Sequence, residues 1–469
     1  MPVPMLVQML VIGGGPGGQK AAVQAAKGGW SVLLVERELA LGGECVHRGT
    51  IPSKTLRESA RTWSRWKRLE GREANARAEL PVAQLMRRQA EVRKGHESFL
   101  ARQLARNGIE VWRGHARFVS PHEVEVKSPD GSLRRVRAST IVIATGSRPR
   151  HPAEVPIDHE HVLDSDSILS LIYLPESLTV LGSGVIACEY ASIFAALGVR
   201  VTVIDKGERP LGFLERELTE RFLASFERQG GRFLGKRTLE GVEVDPLGGV
   251  RAELAGGETV TSEKVFCALG RVAQVRGLAL EAAGLAPNAR GLLEVDRHGR
   301  TAVPHVYAVG DVIGPPALAA TSMEQGRRAA RHALGLAEAT ACEFTPIGIY
   351  TLPEISSVGW TEREAIERLG GARVGRARFE ELARGEIEGE RDGLLKLVAD
   401  PDGRKLVGAQ AVGEGANELI HVAQMALEAG LGVDAFADSI FNFPTLAEGY
   451  LVAALDLVGQ RAKALRAAG

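Results

Sequence analysis

Two glycine-rich turns, each followed by an acid, are the residues of this chain with the clearest chemical meaning. The small residues that define the turns are Gly13, Gly15 and Gly18 in the first and Gly182, Gly184 and Ala187 in the second. Glu36 and Asp205 follow at the same offset from the first glycine. The first glycine permits a tight turn, the second lets the backbone approach a pyrophosphate, and the third position must be small for helix packing. The acid can accept hydrogen bonds from ribose hydroxyls.

Each turn lies between elements that would position it. The first follows the apolar run LVQMLVI and leads through an alanine-rich helix to the strand SVLLV. The second follows SLTVL and leads through a helix to VRVTVI. In both copies the pyrophosphate would rest on free N–H groups at the helix N-terminus. The sequence therefore predicts two dinucleotide sites in two strand–helix–strand units.

Bulk composition excludes several other classes of function. The 469 residues carry 58 basic and 58 acidic side chains, which indicates neither a nucleic-acid nor a membrane-surface partner. No apolar run approaches the length that spans a bilayer, and the apolar start lacks a basic region, so we interpret it as a first buried strand. The cysteines form no CxxC pair and no metal-ligand set; their usage is typical of a reducing cytosol and predicts a cytoplasmic protein. They are Cys45, Cys188, Cys267 and Cys342.

Three shorter segments end where a nucleotide would be expected. Thr145 and Gly146 follow the apolar run IVIA, and Gly270 follows VFCAL. Asp311 ends the buried strand HVYAVGD, where an acid can hold a ligand hydroxyl or, equally, cap the next turn.

The segment GGECVHRGTIPSK (42–54) carries a thiol without a matching second thiol. Thr50 can neither form a disulfide with Cys45 nor act as a thiolate. We interpret Cys45 as a small buried thiol in a pocket wall; the alternative is a redox-sensing thiol beside a helix N-terminus. Lys54 lies near a predicted helix start, where the helix dipole disfavours a cation, so we expect it to have a negative partner. The alternative is an ordinary surface lysine.

Taken in order, these motifs resemble the FAD-dependent pyridine nucleotide–disulfide oxidoreductases over nearly the whole chain. The order includes ATG, GR, AVGD and the late segment IYTLPEISSVGWTE (349–362). The resemblance implies an α/β fold with two Rossmann-like dinucleotide-binding domains, for FAD and NAD(P), and a C-terminal α+β dimerisation domain. The implied domains are 1–150 and 277–344 for FAD, 151–276 for NAD(P), and 345–469 for a homodimer interface.

The same resemblance implies roles for individual residues. Glu36 would bind the adenosine ribose of FAD, Asp311 its ribityl chain, and Lys54 would lie beside flavin N5, paired with Glu189. Asp205 would bind the ribose of the nicotinamide nucleotide. Further implied cofactor-binding residues are Gly13, Gly15, Gly18, Arg37, Gly42, Gly43, Cys45, Thr50, Thr145, Gly146, Gly182, Gly184 and Gly270. The resemblance implies no metal.

Two departures from the family pattern indicate the reaction. Thr50 replaces the cysteine that contacts the flavin, and Phe443 replaces the histidine that serves thiol substrates across the dimer, although Glu448 remains. One change of function explains both losses, because the second substrate then cannot be a disulfide. The stretches SDSILS, CEYASIF and FNFPTLAE resemble the soluble pyridine nucleotide transhydrogenases, which implies hydride transfer between NADPH and NAD⁺ through FAD.

Asp205 is the residue that conflicts with this interpretation. A carboxylate suits a 2′-hydroxyl and repels a 2′-phosphate, although Lys206 and Arg209 follow and could neutralise the phosphate. An NADH-dependent diaphorase, or a reductase of quinones or oxygen, uses the same residues and stays open. So does a non-catalytic FAD/NAD-binding sensor or assembly subunit, which the Lys54–Glu189 combination disfavours. Residues 58–118 are predicted to be helices of the FAD domain, without a chemical role.

Overall fold

The computed structural model describes residues 4–71, 73, 82–245, 248–337 and 343–468. The helices are α1 (Pro16–Lys27), α2 (Gly43–His47), α3 (Thr50–Leu69), α4 (Val82–Arg106), α5 (Val185–Ala196), α6 (Arg216–Arg228), α7 (Ala319–Ala333), α8 (Glu362–Leu369), α9 (Ala383–Glu388), α10 (Ala416–Glu428), α11 (Asp434–Ala437) and α12 (Gly449–Ala468). The first strands are β1 (Met5–Ile12), β2 (Val32–Glu36), β3 (Glu110–Arg113), β4 (His115–Ser120), β5 (Glu123–Lys127), β6 (Leu133–Ile143), β7 (Ser147–Pro149), β8 (Val162–Leu163), β9 (Ser177–Leu181), β10 (Arg200–Ile204) and β11 (Arg232–Leu234). The later strands are β12 (Leu239–Val244), β13 (Val250–Leu254), β14 (Thr259–Ser262), β15 (Lys264–Cys267), β16 (Arg271–Ala273), β17 (Val306–Ala308), β18 (Ile347–Ile349), β19 (Ile355–Gly359), β20 (Arg373–Arg378), β21 (Leu394–Ala399) and β22 (Leu406–Val412).

The chain divides into two compact units that each gather distant segments. The first comprises Met1–Thr55, Ala83–Arg150 and Gly270–Ala341, and the second Leu56–Val82, His151–Leu269 and Cys342–Gly469. The helical prediction for residues 58–118 is confirmed for α3 and α4 and wrong after α4, where β3 and β4 form; at residues 72 and 74–81 it lies outside the described residues. The alternation of buried and exposed side chains in β4 is that of a strand with one face on the core.

A largely parallel sheet organises the first unit. Its strand order is β3-β2-β1-β6-β5-β4, with β17 paired to β6. The strands β3, β2, β1, β6 and β17 run parallel, and all five side chains of β2 are buried, as expected for a strand covered on both faces. Apolar clusters cover the two faces, one around Leu10 and Phe118 and the other around Met9 and Leu34.

Helix α1 is held against α7 by glycines at their crossing. A Cβ atom on Gly326 would lie 2.0 Å from the carbonyl oxygen of Gly17, and one on Gly17 would lie 3.0 Å from that of Ser322. Because only hydrogen fits at these positions, the two helices approach closely. This packing fixes the N-terminus of α1, where the first glycine-rich turn ends.

The second unit contains a parallel sheet and a large antiparallel sheet. The parallel sheet has the order β11-β10-β9-β15-β8. The strands β12, β13 and β14, which lie between β11 and β15 in the sequence, form a small antiparallel sheet. The C-terminal sheet, in the order β18-β19-β22-β21-β20, packs against α10 and α12 around buried residues such as Phe379 and Tyr450. The unit thus combines a second dinucleotide-type sheet with an α+β assembly.

A buried lysine joins these two parts of the second unit. Lys396 on β21 is 1% exposed, and its Nζ lies 2.6 Å from Glu362, 3.5 Å from Glu217 and 3.6 Å from Glu215. Glu215 immediately precedes α6, the helix that follows β10 and Asp205. The ion pairs of Lys396 therefore attach α6 to the C-terminal sheet. Along the part of the chain that the structure describes, none of the helices is long and apolar enough to cross a membrane.

Candidate dinucleotide and redox site

The first glycine turn has the backbone that an anion site requires. Gly13 has φ +107°, and a Cβ atom there would lie 2.3 Å from the carbonyl oxygen of Ala144, so only glycine fits. Gly15 caps α1 in an extended conformation (φ −74°, ψ −177°) and, having no side chain, leaves the first N–H groups of the helix free for a ligand. At Gly18 a Cβ would lie 2.0 Å from the oxygen of Gly13. Gly13 and Gly18 therefore have a local steric reason, whereas Gly15 has room for a Cβ atom and keeps the helix N-terminus open to a ligand.

Glu36 is held rigidly at the end of β2. The residue is 6% exposed, its Oε2 accepts from the N–H of Gly14 (2.7 Å) and its Oε1 from that of Glu38 (3.0 Å). Arg37, next to it, is half-exposed and forms an ion pair with Glu38 (3.3 Å). The backbone holds the Glu36 carboxylate beside the turn, where a ribose would pass.

The segment that carries Cys45 docks directly onto this turn. Gly42 donates its N–H to the carbonyl oxygen of Gly14 (3.0 Å). Gly43 has φ +58°, and a Cβ atom on it would lie 3.0 Å from the Cα of Gly15. Glycine therefore faces glycine at this approach, which places α2 and the Cys45 thiol next to the pyrophosphate end of the site.

Thr50 lies against Cys45, in hydrogen-bonding contact with its sulfur. Burial raises the pKa of the Cys45 thiol above its ordinary value of 9.0, while the Thr50 hydroxyl and the charge of Lys54 oppose that shift and Asp311 adds to it. The thiol is therefore protonated at neutral pH. The same contributions show that Cys45, Thr50, Lys54 and Asp311 share one region of the first unit.

Asp311 is oriented by two residues that sequence reasoning missed. Its Oδ2 accepts a hydrogen bond from the Ser147 hydroxyl (2.6 Å), which in turn accepts from Nε of Arg271 (2.8 Å). Arg271 also donates to the carbonyl oxygen of Ser147 (2.9 Å) and lies 3.7 Å from Glu44. In the sequence, Ser147 directly follows the ATG motif and Arg271 is the arginine of the GR motif. The pairing of β7 with β16 brings these two residues together.

Two left-handed glycines and an unsatisfied hydroxyl complete the first unit's site. Gly146 has φ +70° and Gly270 φ +105°, backbone conformations that favour glycine. The hydroxyl of Thr145 is buried and has no hydrogen-bond partner among the described residues. Buried polar groups are normally satisfied, so this hydroxyl indicates a missing ligand group. The residues present therefore fit FAD: a bare helix N-terminus for its pyrophosphate, a fixed carboxylate, and an unsatisfied hydroxyl.

The second turn has the same backbone pattern as the first and the same type of contact with its acid. Gly182 has φ +98°, and Gly184 caps α5 at φ −74° and ψ −173°. Asp205 accepts from the N–H of Ser183 through Oδ2 (2.9 Å) and from that of Gly207 through Oδ1 (2.6 Å). Ala187 occupies the third position, fully buried. This geometry fits a nicotinamide dinucleotide in the second unit.

The two cations that follow Asp205 differ in exposure and in their contacts: Arg209 is partly buried. Arg209 donates to the hydroxyl of Thr219 (2.7 Å) and to the carbonyl oxygens of Gly212 and Leu214 (2.9 Å each), and these bonds stabilise the loop. Lys206 is exposed. Because the guanidinium of Arg209 stabilises this loop, the interpretation that it neutralises a bound phosphate loses support.

Glu189 lies on α5, within the second unit. It is 4% exposed, and its Oε1 accepts from the backbone N–H of Tyr350 (2.9 Å). Ser192, one turn later, accepts from the N–H of Leu352 (3.1 Å). The segment IYTLP is thus fixed to α5, which the sequence did not suggest. Lys54 belongs to the first unit and lies in the first turns of α3, half-buried; its pairing with Glu189 stays a prediction.

Phe443 and Glu448 mark the place of the absent histidine. Phe443 is 73% exposed and precedes a cis peptide bond to Pro444. The Oε2 of Glu448 is buried without a hydrogen-bond partner among the residues that the structure describes. A carboxylate that would orient an imidazole is present, and the imidazole is not. Across the described residues, no group of three or more His, Cys, Asp or Glu side chains could hold a metal ion.

Comparison with known proteins agrees with this geometry. Residues 7–326 match the pyridine nucleotide-disulphide oxidoreductase family and residues 345–454 its dimerisation domain. The chain is 44% identical to the soluble pyridine nucleotide transhydrogenase of Mycobacterium bovis, over 96% of this chain and 97% of the relative. It is 38% identical to the protein of that name from Pectobacterium atrosepticum, over 95% of this chain and 96% of the relative.

Solved structures share the same architecture. LpdA from Mycobacterium tuberculosis superposes with a TM-score of 0.89 at 27% identity, covering 96% of this chain and 100% of that one. The HOCl-induced flavoprotein disulfide reductase RclA from Escherichia coli gives 0.87 at 26% identity, covering 96% and 99%. The expected fold, two nucleotide-binding domains with a dimerisation domain, is confirmed. The chain belongs to the pyridine nucleotide-disulphide oxidoreductase family, whose members are flavoproteins that bind FAD and nicotinamide nucleotides.

Proposed function

We propose that this protein is an NAD(P)⁺ transhydrogenase that moves hydride from NADPH to NAD⁺ through N5 of FAD, in a ping-pong cycle without a redox-active disulfide. The observation that carries the proposal is the contact of Thr50 with Cys45. In a disulfide reductase a second sulfur would stand there to take electrons onward. A hydroxyl cannot, so the acceptor must be a molecule that reaches the flavin itself.

The residues of the first unit bind and orient the cofactor. Bound FAD supplies a hydride acceptor and donor at N5. The first N–H groups of α1 bind its pyrophosphate, Glu36 its adenosine ribose, and Asp311, held by Ser147, its ribityl hydroxyls. Lys54 would supply a positive charge to the flavin site, where bound FAD takes up negative charge with the hydride. The partly buried, protonated Cys45 would line the flavin site without taking part in the reaction.

The residues of the second unit hold one nicotinamide nucleotide at a time. The N-terminus of α5 binds the pyrophosphate and Asp205 the adenosine ribose. NADPH would bind, release NADP⁺ after hydride transfer, and be replaced by NAD⁺. Neither half-reaction needs a proton from the protein, which agrees with Phe443 in place of an acid–base histidine.

Three further expectations belong to this proposal. The domains are 1–150 with 277–344 for FAD, 151–276 for NAD(P) and 345–469 for the interface of a homodimer, which could assemble further. The protein acts in the cytoplasm, as its cysteine usage suggests. The relatives named soluble pyridine nucleotide transhydrogenase support the activity, because they align over almost the whole chain.

The experiment mixes FAD-loaded protein with NADPH and thio-NAD⁺ and follows the absorbance of reduced thio-NAD. We expect rapid transfer without any added thiol and parallel-line kinetics when both substrates are varied, as a ping-pong cycle requires. Intersecting lines would exclude the ping-pong order. No transfer, with NADH still bleaching the flavin, would overturn the transhydrogenase proposal.

One observation favours a second candidate. Both oxygens of Asp205 are fixed by backbone N–H groups, so the carboxylate cannot turn away from a 2′-phosphate. A strict preference for NADH would make the protein an NADH-dependent diaphorase or a reductase of quinones or oxygen. Steady-state reduction of a quinone with NADH and with NADPH separates the two, since only the diaphorase should ignore NADPH.

A further inference from the structure

The loop around Asp205 raises a question that the proposed function leaves open. A transhydrogenase must accept both a 2′-hydroxyl and a 2′-phosphate, and a phosphate monoester carries about −1.5 to −2 charges at pH 7. The Asp205 carboxylate is fixed in place by Ser183 and Gly207. Its repulsion must therefore be offset by a cation close by, and the guanidinium of Arg209 is already engaged by the Thr219 hydroxyl and the carbonyl oxygen of Gly212.

A lysine from another part of the chain is anchored beside Asp205. Lys236 lies in the turn between β11 and β12, and its N–H donates to the carbonyl oxygen of Gly207 (2.9 Å). The next residue, Arg237, donates its N–H to the carbonyl oxygen of Asp205 (3.0 Å). The backbone of Lys236 is thus held against the loop that carries the acid, although the two are far apart in sequence.

The backbone of Lys236 is also strained. Its φ is +56°, in the left-handed region where glycine and asparagine are favoured and a long side chain costs about 1 kcal/mol. Glycine precedes it, and a Cβ atom on that Gly235 would lie 2.9 Å from the carbonyl oxygen of Gly207. A cation kept at a position better suited to glycine indicates a use for its charge.

The ammonium group of Lys236 forms an exposed ion pair with Glu208, which a ligand could displace. Its Nζ lies 3.5 Å from Oε2 of Glu208, and Glu208 also lies 3.9 Å from Arg216 at the start of α6. The side chains are 68% exposed for Lys236 and 60% for each of the other two, so these pairs are weak. A phosphate could displace the Glu208 carboxylate from both cations.

We propose that Lys236 binds the 2′-phosphate of NADP(H), and that Glu208 takes the place of that phosphate when the loop is empty or holds NAD(H). The inference rests on the proposed function, since it explains how one site serves both nucleotides. Asp205 binds the 2′-hydroxyl of NAD(H). When NADP(H) enters, the phosphate displaces Glu208 and pairs with Lys236, with Arg216 and the exposed Lys206 adding to the positive field.

The test measures binding of 2′,5′-ADP and 5′-AMP to FAD-loaded protein by calorimetry at low and moderate salt. Lys236→Asn removes the charge with a residue that tolerates left-handed backbone. We expect 2′,5′-ADP to bind about two- to fivefold more weakly to K236N, with 5′-AMP unchanged. Glu208→Gln should tighten 2′,5′-ADP several-fold, since it removes the competing carboxylate.

Arg237→Gln is the matched control. Arg237 is the neighbouring cation, and its Nε pairs with Glu258 (2.7 Å), so it contributes similar long-range charge without the proposed contact. We expect R237Q to bind 2′,5′-ADP like the wild type. An equal loss in R237Q and K236N, or no loss in K236N, would overturn the inference while leaving hydride transfer untouched. Loss in K236N alone would uphold it even if the hydride-transfer assay failed.

Discussion

At the residue scale, the neighbours of Cys45 act on its thiol in opposite directions. Burial, the largest effect, raises the pKa, and the Thr50 hydroxyl and Lys54 reduce that rise without reversing it. A reactive thiol would need the opposite balance. The geometry therefore favours the interpretation of Cys45 as part of a pocket wall over that of a redox sensor.

Replacing Thr50 by valine tests this balance at nearly constant volume. The Thr50 hydroxyl stabilises the Cys45 thiolate, so T50V should raise the pKa of Cys45 further. We expect alkylation of Cys45 at pH 8.5, followed by peptide mass spectrometry, to slow several-fold. Thr55→Val is the control, because the Thr55 hydroxyl donates to the carbonyl oxygen of Ile51 (2.8 Å). Equal alkylation rates in T50V and the wild type at every pH would show that Thr50 does not act on the thiol.

At the element scale, the two glycine turns differ in how closely their helices approach. Gly18 leaves no room for a methyl group, whereas the equivalent position of the second turn carries Ala187. Gly18→Ala should push α1 away from the turn, because the close-packed surroundings cannot absorb a 2.0 Å contact. We expect the purified variant to retain less than about half of its FAD, read from the ratio of flavin to protein absorbance.

Ala187→Gly serves as the reciprocal control. It removes a methyl group from a helix and should cost about 1 kcal/mol of stability without loss of flavin. Full flavin content in G18A would contradict the steric argument, since the clash involves backbone and cannot be relieved by a rotamer change.

Helix α3 carries a buried amine at its far end. Lys67 is 3% exposed and donates to the carbonyl oxygen of Ala196 at the end of α5 (3.1 Å). Burial lowers its pKa from 10.5 to about 8. Between these two values the unfolded chain binds the proton and the folded chain does not, so the contribution of Lys67 to stability rises with pH through that window. Below pH 8 the full cost of burying the charge is present.

Thermal unfolding of the wild type and of Lys67→Met at pH 7 and pH 9.5 measures this contribution. We expect the wild type to gain midpoint temperature relative to K67M as pH rises, because only the wild type sheds the buried charge. Taking the difference between the two proteins cancels the other titrating groups. A difference that is constant with pH, or that moves the other way, would contradict the lowered pKa.

Local patterns were enough to predict the elements around both turns but not the contacts between distant ones. The glycine spacing is informative because part of its steric demand, such as the approach of Gly18 to Gly13, acts within one strand–turn–helix unit. Ser147, Arg271 and Asp311 could not be connected in advance, because strand pairings far apart in sequence bring them together. The helical prediction failed at β3 and β4, where arginine-rich composition outweighed a short alternating pattern.

At the scale of the whole molecule, the two departures from a disulfide reductase lie in different compact units. Thr50 belongs to the first unit and Phe443 to the second. Local packing within one unit therefore cannot explain why both changed. If a single change of reaction explains them, the two reversions should depend on each other.

Restoring both residues should restore disulfide chemistry, and restoring either should not. Thr50→Cys supplies a second sulfur in contact with Cys45, and Phe443→His supplies an imidazole that the buried Glu448 carboxylate can orient. Acid–base catalysis typically contributes about 10²–10⁴-fold, so T50C/F443H should reduce lipoamide with NADH at least about a hundredfold faster than T50C alone. F443H alone should be inactive, because Cys45 then has no second cysteine beside it and no disulfide is present to receive electrons from the flavin. Transhydrogenase activity measured alongside reports whether each variant is folded and loaded with FAD. If T50C alone matches the double variant, Phe443 is not a lost acid–base position, and the two departures arose independently.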